Sequence, residues 1–389
     1  MKKILIIEDD QLVANIYRNK FSVDGFQVEV ALDGVAGFEM INTFHPDVII
    51  LDLMLPKITG VDVLKKIRAQ TNLQQLPVIV FSNTYLSNMV QEAWKAGATK
   101  CLSKANCTPK QVIEVVRTLL IPQAAAATAS DDATAAATAE ADAALQAELY
   151  QSFLASLPGS LGALRMTLQA LAKSSDEANR VKQLQELYHR IHALTGNAAI
   201  AGLSQIARIA DALEALLKEL YEKPKNINAS TLRTVASAID FLGVLFDRSK
   251  LSEAQPAETQ FKANVLVVDD EAISRRAVTY ALEKAKLSSI SLENPEIALQ
   301  KLAETAFDLV FLDVDMPGMN GFELCTKLRT FQRNKTTPVV FVTSLSDFES
   351  RANSTMSGGN DLIAKPFLFM ELAVKALVYI MRGRPETAK

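Results

Sequence analysis

The most constraining feature of this chain is that one segment occurs in it twice. KILIIEDD (Lys3–Asp10) returns as NVLVVDDE (Asn264–Glu271), DVIILDLMLPKITG (Asp47–Gly60) as DLVFLDVDMPGMNG (Asp308–Gly321), and LPVIVFSN (Leu76–Asn83) as TPVVFVTS (Thr337–Ser344). Glu8 and Asp269, Asp9 and Asp270, Asp52 and Asp313, Gly60 and Gly321, Ser82 and Thr343, and Lys104 and Lys365 each lie 261 positions apart. Chance does not hold six polar or glycine positions in register through two otherwise different segments, so one domain is duplicated.

Each copy alternates short β-branched runs with longer helical patterns. In the first copy strands are predicted at Lys3–Ile7, Val28–Ala31, Val48–Leu51, Val78–Phe81 and Lys100–Ser103, and a last helix at Pro109–Leu120 with proline in its first turn. Val48–Leu51 and Val78–Phe81 are apolar throughout, the pattern of parallel strands covered by helices on both faces. Five such units predict a doubly wound α/β domain with a five-stranded parallel sheet.

The chain has 389 residues, enough for two or three cores. A net charge of −3 gives no electrostatic reason to expect nucleic acid or an anionic membrane as partner. Cys101, Cys107 and Cys325 are too few and scattered for a disulfide framework, which fits a reducing, cytoplasmic setting. The apolar run at Ile4–Ile7 is too short for a signal peptide, and no stretch approaches the ~20 apolar residues of a spanning helix. Pro122–Ala144 is rich in Ala with Thr, Asp, Ser and Glu. It carries no large apolar residue and is expected to be a tether, helical in part. Four helices are predicted beyond it, at Ala147–Lys173, Glu177–Ala199, Leu203–Tyr221 and Ala229–Phe246, followed by a polar linker at Arg248–Lys262. The expected domains are residues 1–121, a linker at 122–146, an all-α domain at 147–247, a linker at 248–262, and the second copy at 263–384.

Doubly wound sheets bind ligands beyond the carboxyl ends of their strands. Glu8, Asp9, Asp52, Ser82 and Lys104 fall there in the first copy, and Asp269, Asp270, Asp313, Thr343 and Lys365 in the second. Three carboxylates at one rim repel each other and call for a cation, and an all-oxygen site suits Mg²⁺. The hydroxyl and the lysine would hold the oxygens of a phosphoryl group. Asp52 and Asp313 are the expected nucleophiles, each forming an acyl phosphate. The other acids, with the backbone carbonyls of Met54 and Asp315, would carry the metal.

On these residues both copies resemble response-regulator receiver domains. The acidic pair, the Asp with Pro four and Gly eight residues later (Asp52, Pro56, Gly60; Asp313, Pro317, Gly321), the Ser/Thr and the Lys all match. The resemblance spans about Met1–Leu120 and Lys262–Gly383. It implies the flavodoxin-like strand order 2-1-3-4-5, uptake of phosphoryl from a phosphohistidine, and rearrangement of the face made by the last two helices. Three departures stand out. Lys365-Pro366 keeps the family's Lys-Pro with its expected cis bond, whereas the first copy has Lys104-Ala105; Asn83 is bulkier than Ser344; and Cys101 and Leu362 stand where the family often has an aromatic.

In the helical region Leu184, Leu187, Ile191, Leu194 and Ala198 form an apolar stripe. His192 lies about 120° from its centre at 100° per residue, on a flank with Gln185, His189 and Gly196, and is expected to be exposed. His192-Ala-Leu-Thr-Gly196 resembles the His-x-Leu-Lys-Gly signature of histidine phosphotransfer (HPt) domains, which are four-helix bundles. That resemblance makes His192 the expected phosphoacceptor, with His189 as the alternative, and puts Thr195 in the usual lysine's place.

The sequence thus predicts two flavodoxin-like α/β domains flanking a four-helix bundle. The expected role is a Mg²⁺-dependent phosphorelay passing phosphoryl groups between receiver aspartates and His192. A sensor histidine kinase or other phosphodonor and downstream receiver or HPt proteins are the expected partners. The alternative is a phosphorylation-gated adaptor or dimerisation module in which His192 is not required. No Gly-rich nucleotide loop or cyclase pattern occurs, so beyond chemistry on their own aspartates no enzymatic activity is expected.

Overall fold

In the computed structural model the described residues are 1–82, 88–104, 107, 109–120, 132–174, 176–251, 262–344 and 354–383. They divide between two compact units, one within residues 1–215 and 242–256, the other within 216–241 and 257–389.

In the first unit the strands are β1 (Lys3–Ile7), β2 (Gln27–Ala31), β3 (Val48–Leu51), β4 (Val78–Ser82) and β5 (Lys100–Ser103). All neighbours are parallel, in the order β2-β1-β3-β4-β5. Because side chains alternate along a strand, the wholly apolar strands feed two cores. Leu5, Ile7, Ile49, Leu51, Val78 and Val80 face α2 (Gly34–Phe44), α3 (Gly60–Ala69) and α4 (Asn88–Lys95). Ile4, Ile6, Val48, Ile50, Ile79 and Phe81 face α1 (Gln11–Val23) and α5 (Pro109–Leu120).

The helical region contributes α6 (Asp132–Lys173), α7 (Glu177–Ile200), α8 (Ser204–Glu222) and α9 (Ala229–Leu251). α6 begins well before the expected Ala147, so the second half of the alanine-rich tether is helical, as alanine's propensity favours. Residues 122–131 of that tether and 252–261 of the second linker lie outside the described residues. Asp176 caps α7 by accepting from Asn179 N, 3.0 Å away. Among the described residues one segment, Ala229–Lys250, is long and apolar enough to cross a membrane by composition, and half of its window is buried within the protein.

The second α/β domain has β6 (Val265–Val268), β7 (Ser289–Leu292), β8 (Leu309–Leu312), β9 (Val339–Thr343) and β10 (Asp361–Ala364). The parallel order β7-β6-β8-β9-β10 repeats the first. Its helices include α10 (Ala272–Lys284), α11 (Pro295–Glu304), α12 (Gly321–Leu328) and α13 (Phe369–Gly383). Two helix caps recur with the sequence repeat. Asp33 accepts from Val35 N and Ala36 N at the start of α2, and Asn294 from Glu296 N and Ile297 N at the start of α11. Thr59 caps α3 and Asn320 caps α12 in the same way. The Lys365-Pro366 bond is cis, as expected.

Candidate functional site

The marked residues of each copy meet at one rim. Glu8 and Asp9 follow β1, Asp52 follows β3, Ser82 ends β4 and Lys104 follows β5. The glycine eight residues after each nucleophile candidate has a steric cause. A Cβ on Gly60 would lie 2.0 Å from Asp52 O, and one on Gly321 2.0 Å from Asp313 O. Only glycine lets the loop pass so close to the helix that follows.

Lys104 is buried between two carboxylates, its Nζ 2.7 Å from Glu8 Oε1 and 2.7 Å from Asp52 Oδ2. Burial disfavours all three charges, and mutual attraction offsets it unequally. Burial pushes Glu8 up to about 8 despite Lys104. Asp52, also buried, is nevertheless held far below the usual carboxylate range by Lys104 and His192. Lys104 is raised by Asp52 and Glu8 against the burial that would lower it. Asp9 is raised by burial and by Asp52.

His192 corrects an expectation. Its imidazole is not exposed; only 8% of the residue is accessible. α7 lies against α1, and Ile200 joins the apolar cluster of Val13, Ile16 and Tyr17. This brings His192 over the rim, with Nε2 3.4 Å from Asp52 Oδ2. On its other side Nδ1 is 2.9 Å from Glu214 Oε1 of α8. Burial alone would lower the imidazole's pKa, but Glu214 and Asp52 together hold it well above the usual value. The alternative, His189, is exposed and stacks edge-on with Tyr188. Thr195 is fully buried and donates to Ile191 O within its own helix, and Gly196 is buried beside it.

Glu214 was missed from the sequence. The available signal was a carboxylate between Leu213 and Leu217 on an apolar helix, a place acids rarely occupy without a partner.

In the second copy Lys365 Nζ is 2.9 Å from Asp269 Oδ2 and 3.3 Å from Asp313 Oδ1. Asp269 also accepts from Ser274 Oγ. Burial raises Asp313, with Lys365 opposing, and Lys365 itself is raised by Asp269 and Asp313 against its own burial. Arg275 donates to the backbone carbonyls of Asp269 and Asp270, leaving their carboxylates to the rim. Thr343 ends β9 and is buried. Cys101 and Leu362 both sit in the apolar layers of their sheets. Asn83 and Ala105 lie outside the described residues.

Carboxylate oxygens of Asp269, Asp270 and Asp313 lie within 4.8 Å of one another. This all-oxygen set fits a hard cation such as Mg²⁺. In the first copy the corresponding group is Asp9, Asp52 and His192. Its two carboxylates suit the same ion, while an imidazole does not favour Mg²⁺. Glu8, expected among the metal ligands, is paired with Lys104, as Asp52 is.

The family model for the response regulator receiver domain matches residues 4–117 and 265–376, and that for the Hpt domain matches 148–242. The chain belongs to the response regulator receiver family. Its receivers flank an Hpt domain, and both kinds of domain are signalling modules.

Among curated proteins it is similar to the transcriptional regulatory protein ResD of Bacillus subtilis, 37% identical over 119 residues, 30% of this chain and 48% of that protein. It is also similar to the phosphate regulon transcriptional regulatory protein PhoB of Pseudomonas aeruginosa, 30% identical over 121 residues, 31% of this chain and 53% of that one. The chain thus spans about half the length of these relatives. Among solved structures, the Vibrio cholerae chemotaxis protein CheY4 is 31% identical with a TM-score of 0.28, covering 28% of this chain and 92% of that one. The receiver domain of a Pseudomonas aeruginosa sensor histidine kinase, with magnesium in its active site cleft, is 20% identical with a TM-score of 0.30 over 31% of this chain and 98% of that one.

Proposed function

We propose that this chain is a phosphorelay component in which a phosphoryl group passes between Asp52 and His192, with Asp313 as a second aspartate acceptor. One observation carries the reading: His192 Nε2 faces Asp52 Oδ2 at 3.4 Å while Glu214 holds Nδ1 at 2.9 Å. Glu214 holds the Nδ1 proton and fixes the ring so that Nε2 points at the aspartate. The Nε2 proton, which pairs with Asp52 while that carboxylate is free, is released to solvent once Asp52 is phosphorylated, and this frees the lone pair that attacks. Glu214 is therefore a positioning residue.

Transfer from Asp52 breaks the Oδ–P bond of the acyl phosphate and forms an Nε2–P bond. The Nδ1 proton stays on the ring, and Glu214 balances the positive charge. Asp52 leaves as a carboxylate, which Lys104 at 2.7 Å stabilises. The reverse step uses the same atoms. A phosphoryl group between the two needs more room than 3.4 Å, so the ring withdraws when the aspartate is charged. Catalysis of this kind rests on alignment and charge neutralisation, and both partners are held by buried ion pairs.

Mg²⁺, when bound, would neutralise phosphoryl charge. The candidate ligands are Glu8, Asp9 and Asp52 with the Met54 carbonyl, and Asp269, Asp270 and Asp313 with the Asp315 carbonyl. Ser82 and Thr343 would hold phosphoryl oxygens beside Lys104 and Lys365. On this reading the protein works in the cytoplasm, receiving phosphoryl from a sensor histidine kinase or another donor and passing it to a separate receiver or HPt protein.

The test is mass-spectrometric mapping of phosphate after incubation with acetyl phosphate and Mg²⁺. Wild type should carry label on Asp52, Asp313 and His192, and the Asp52→Asn variant should lose it from His192. Label on the aspartates with none on His192 would replace this reading by the phosphorylation-gated adaptor. No labile phosphate at all would end both.

A further inference from the structure

The two rims differ in the chemistry of one ligand. In the second receiver Asp269, Asp270 and Asp313 offer oxygen alone. In the first, the ligand atoms of Asp9, Asp52 and His192 lie within 4.8 Å of one another. Two of these residues belong to the receiver and the third to the Hpt helix α7. An imidazole among the ligands changes which ion suits the site. Hard Mg²⁺ prefers oxygen throughout, whereas Zn²⁺ and its transition-metal neighbours favour imidazole nitrogen.

His192 is held as a metal ligand is held. Its Nδ1 stands 2.9 Å from Glu214 Oε1, the carboxylate–imidazole pairing that sets the tautomer and direction of a ligating histidine. Tyr188 stacks on the ring, with centroids 6.3 Å apart and planes at 27°, and limits its swing. Nε2 lies 3.4 Å from Asp52 Oδ2. That is long for a direct N–H···O bond of about 2.7–3.2 Å. It matches the edge of about 3.3–3.4 Å between two ligands of a tetrahedral ion with bonds of about 2.0–2.1 Å. Asp52 is fixed as firmly, with Met54 N donating to Oδ1 at 3.2 Å and Lys104 to Oδ2 at 2.7 Å. Oδ2 keeps a second lone pair for an ion. Asp9, exposed at the rim, is the adjustable third ligand, and water completes such a shell.

We propose that the first receiver and the Hpt domain together form a site for a divalent ion of the Zn²⁺ class, held by His192 Nε2, Asp52 Oδ2 and the Asp9 carboxylate. The ion takes the place of the Nε2 proton, which leaves to solvent. It bridges α7 to the rim and so fastens the two domains together. It also occupies the lone pair and the oxygen between which a phosphoryl group would pass, so Zn²⁺ stops a transfer that Mg²⁺ supports. Only this block of transfer rests on the relay reading; the binding itself does not. The three aspartates of the second rim keep their preference for Mg²⁺.

Titration calorimetry of the full chain with zinc chloride tests this, run in excess Mg²⁺ so that the all-oxygen sites are already filled. Wild type should bind a Zn²⁺ ion that Mg²⁺ does not displace. His192→Gln should lose this binding, and so should Asp9→Asn, an exposed change that requires no repacking. Glu214→Ala, which removes no ligand, should weaken it about 10- to 100-fold. Amides of α1 and α7 should exchange more slowly with Zn²⁺ present in wild type, and not in His192→Gln. Zn²⁺ binding that survives His192→Gln or Asp9→Asn would overturn the site and leave the relay reading untouched. If His192 takes up no phosphoryl group while Zn²⁺ binding still depends on it, the relay reading falls and the site stands.

Discussion

Replacing Glu214 tests the geometry around His192 without touching the atoms that exchange phosphate. Glu214 Oε1 is 2.9 Å from His192 Nδ1 inside a buried contact. Glu214→Ala removes a hydrogen bond to a charged group, worth about 1.5–3 kcal/mol. Each ~1.4 kcal/mol is tenfold in rate, so Asp52-to-His192 transfer should slow roughly 10- to 150-fold. Glu214→Gln keeps an acceptor at nearly the same volume and loses only the charge, so it should fall between wild type and Glu214→Ala. The assay is rapid-quench transfer from Asp52 charged with radiolabelled acetyl phosphate, with uptake by Asp52 itself as the internal control. Uptake should be unchanged, because Glu214 lies beyond the imidazole. A Glu214→Ala protein that transfers at the wild-type rate would refute the claim that this carboxylate sets the ring's tautomer and direction.

Gly321→Ala places a methyl 2.0 Å from Asp313 O, and urea unfolding should show a loss of about 1–3 kcal/mol from the overpacked turn. Lys104→Met leaves Glu8 and Asp52 buried without their cation; breaking one partner out of a buried pair costs about 3–5 kcal/mol, which the same unfolding measurement reads. Asn294→Ala removes the acceptor for Glu296 N and Ile297 N and should cost about 1 kcal/mol of stability, whereas Asn294→Asp should cost little.

Much of this was legible from the repeat. Strand positions followed from apolar runs, and the chemically marked residues followed from the constant offset, because a rim built twice must place the same groups twice. The offset also held Asp33 against Asn294 and Thr59 against Asn320, two cap pairs that propensity alone does not single out. What stayed hidden depends on contacts between domains. The stripe of α7 correctly separates its own core side from the flank bearing His192, but periodicity says nothing of what docks on that flank. His192 was therefore expected to be exposed and is covered by the receiver rim. Glu214 escaped although it stands on an apolar helix, because its partner, the imidazole of His192, sits on another helix of the same domain.

The most direct test of the central claim is the dependence of Asp52-to-His192 transfer on protein concentration, measured in an Asp313→Asn background so that one aspartate supplies the label. Two groups poised 3.4 Å apart in one chain predict a first-order rate that stays constant as the protein is diluted a hundredfold, as expected when a tether supplies the effective concentration. A rate that falls in proportion to dilution would mean that the phosphoryl group crosses between molecules, and would contradict the account.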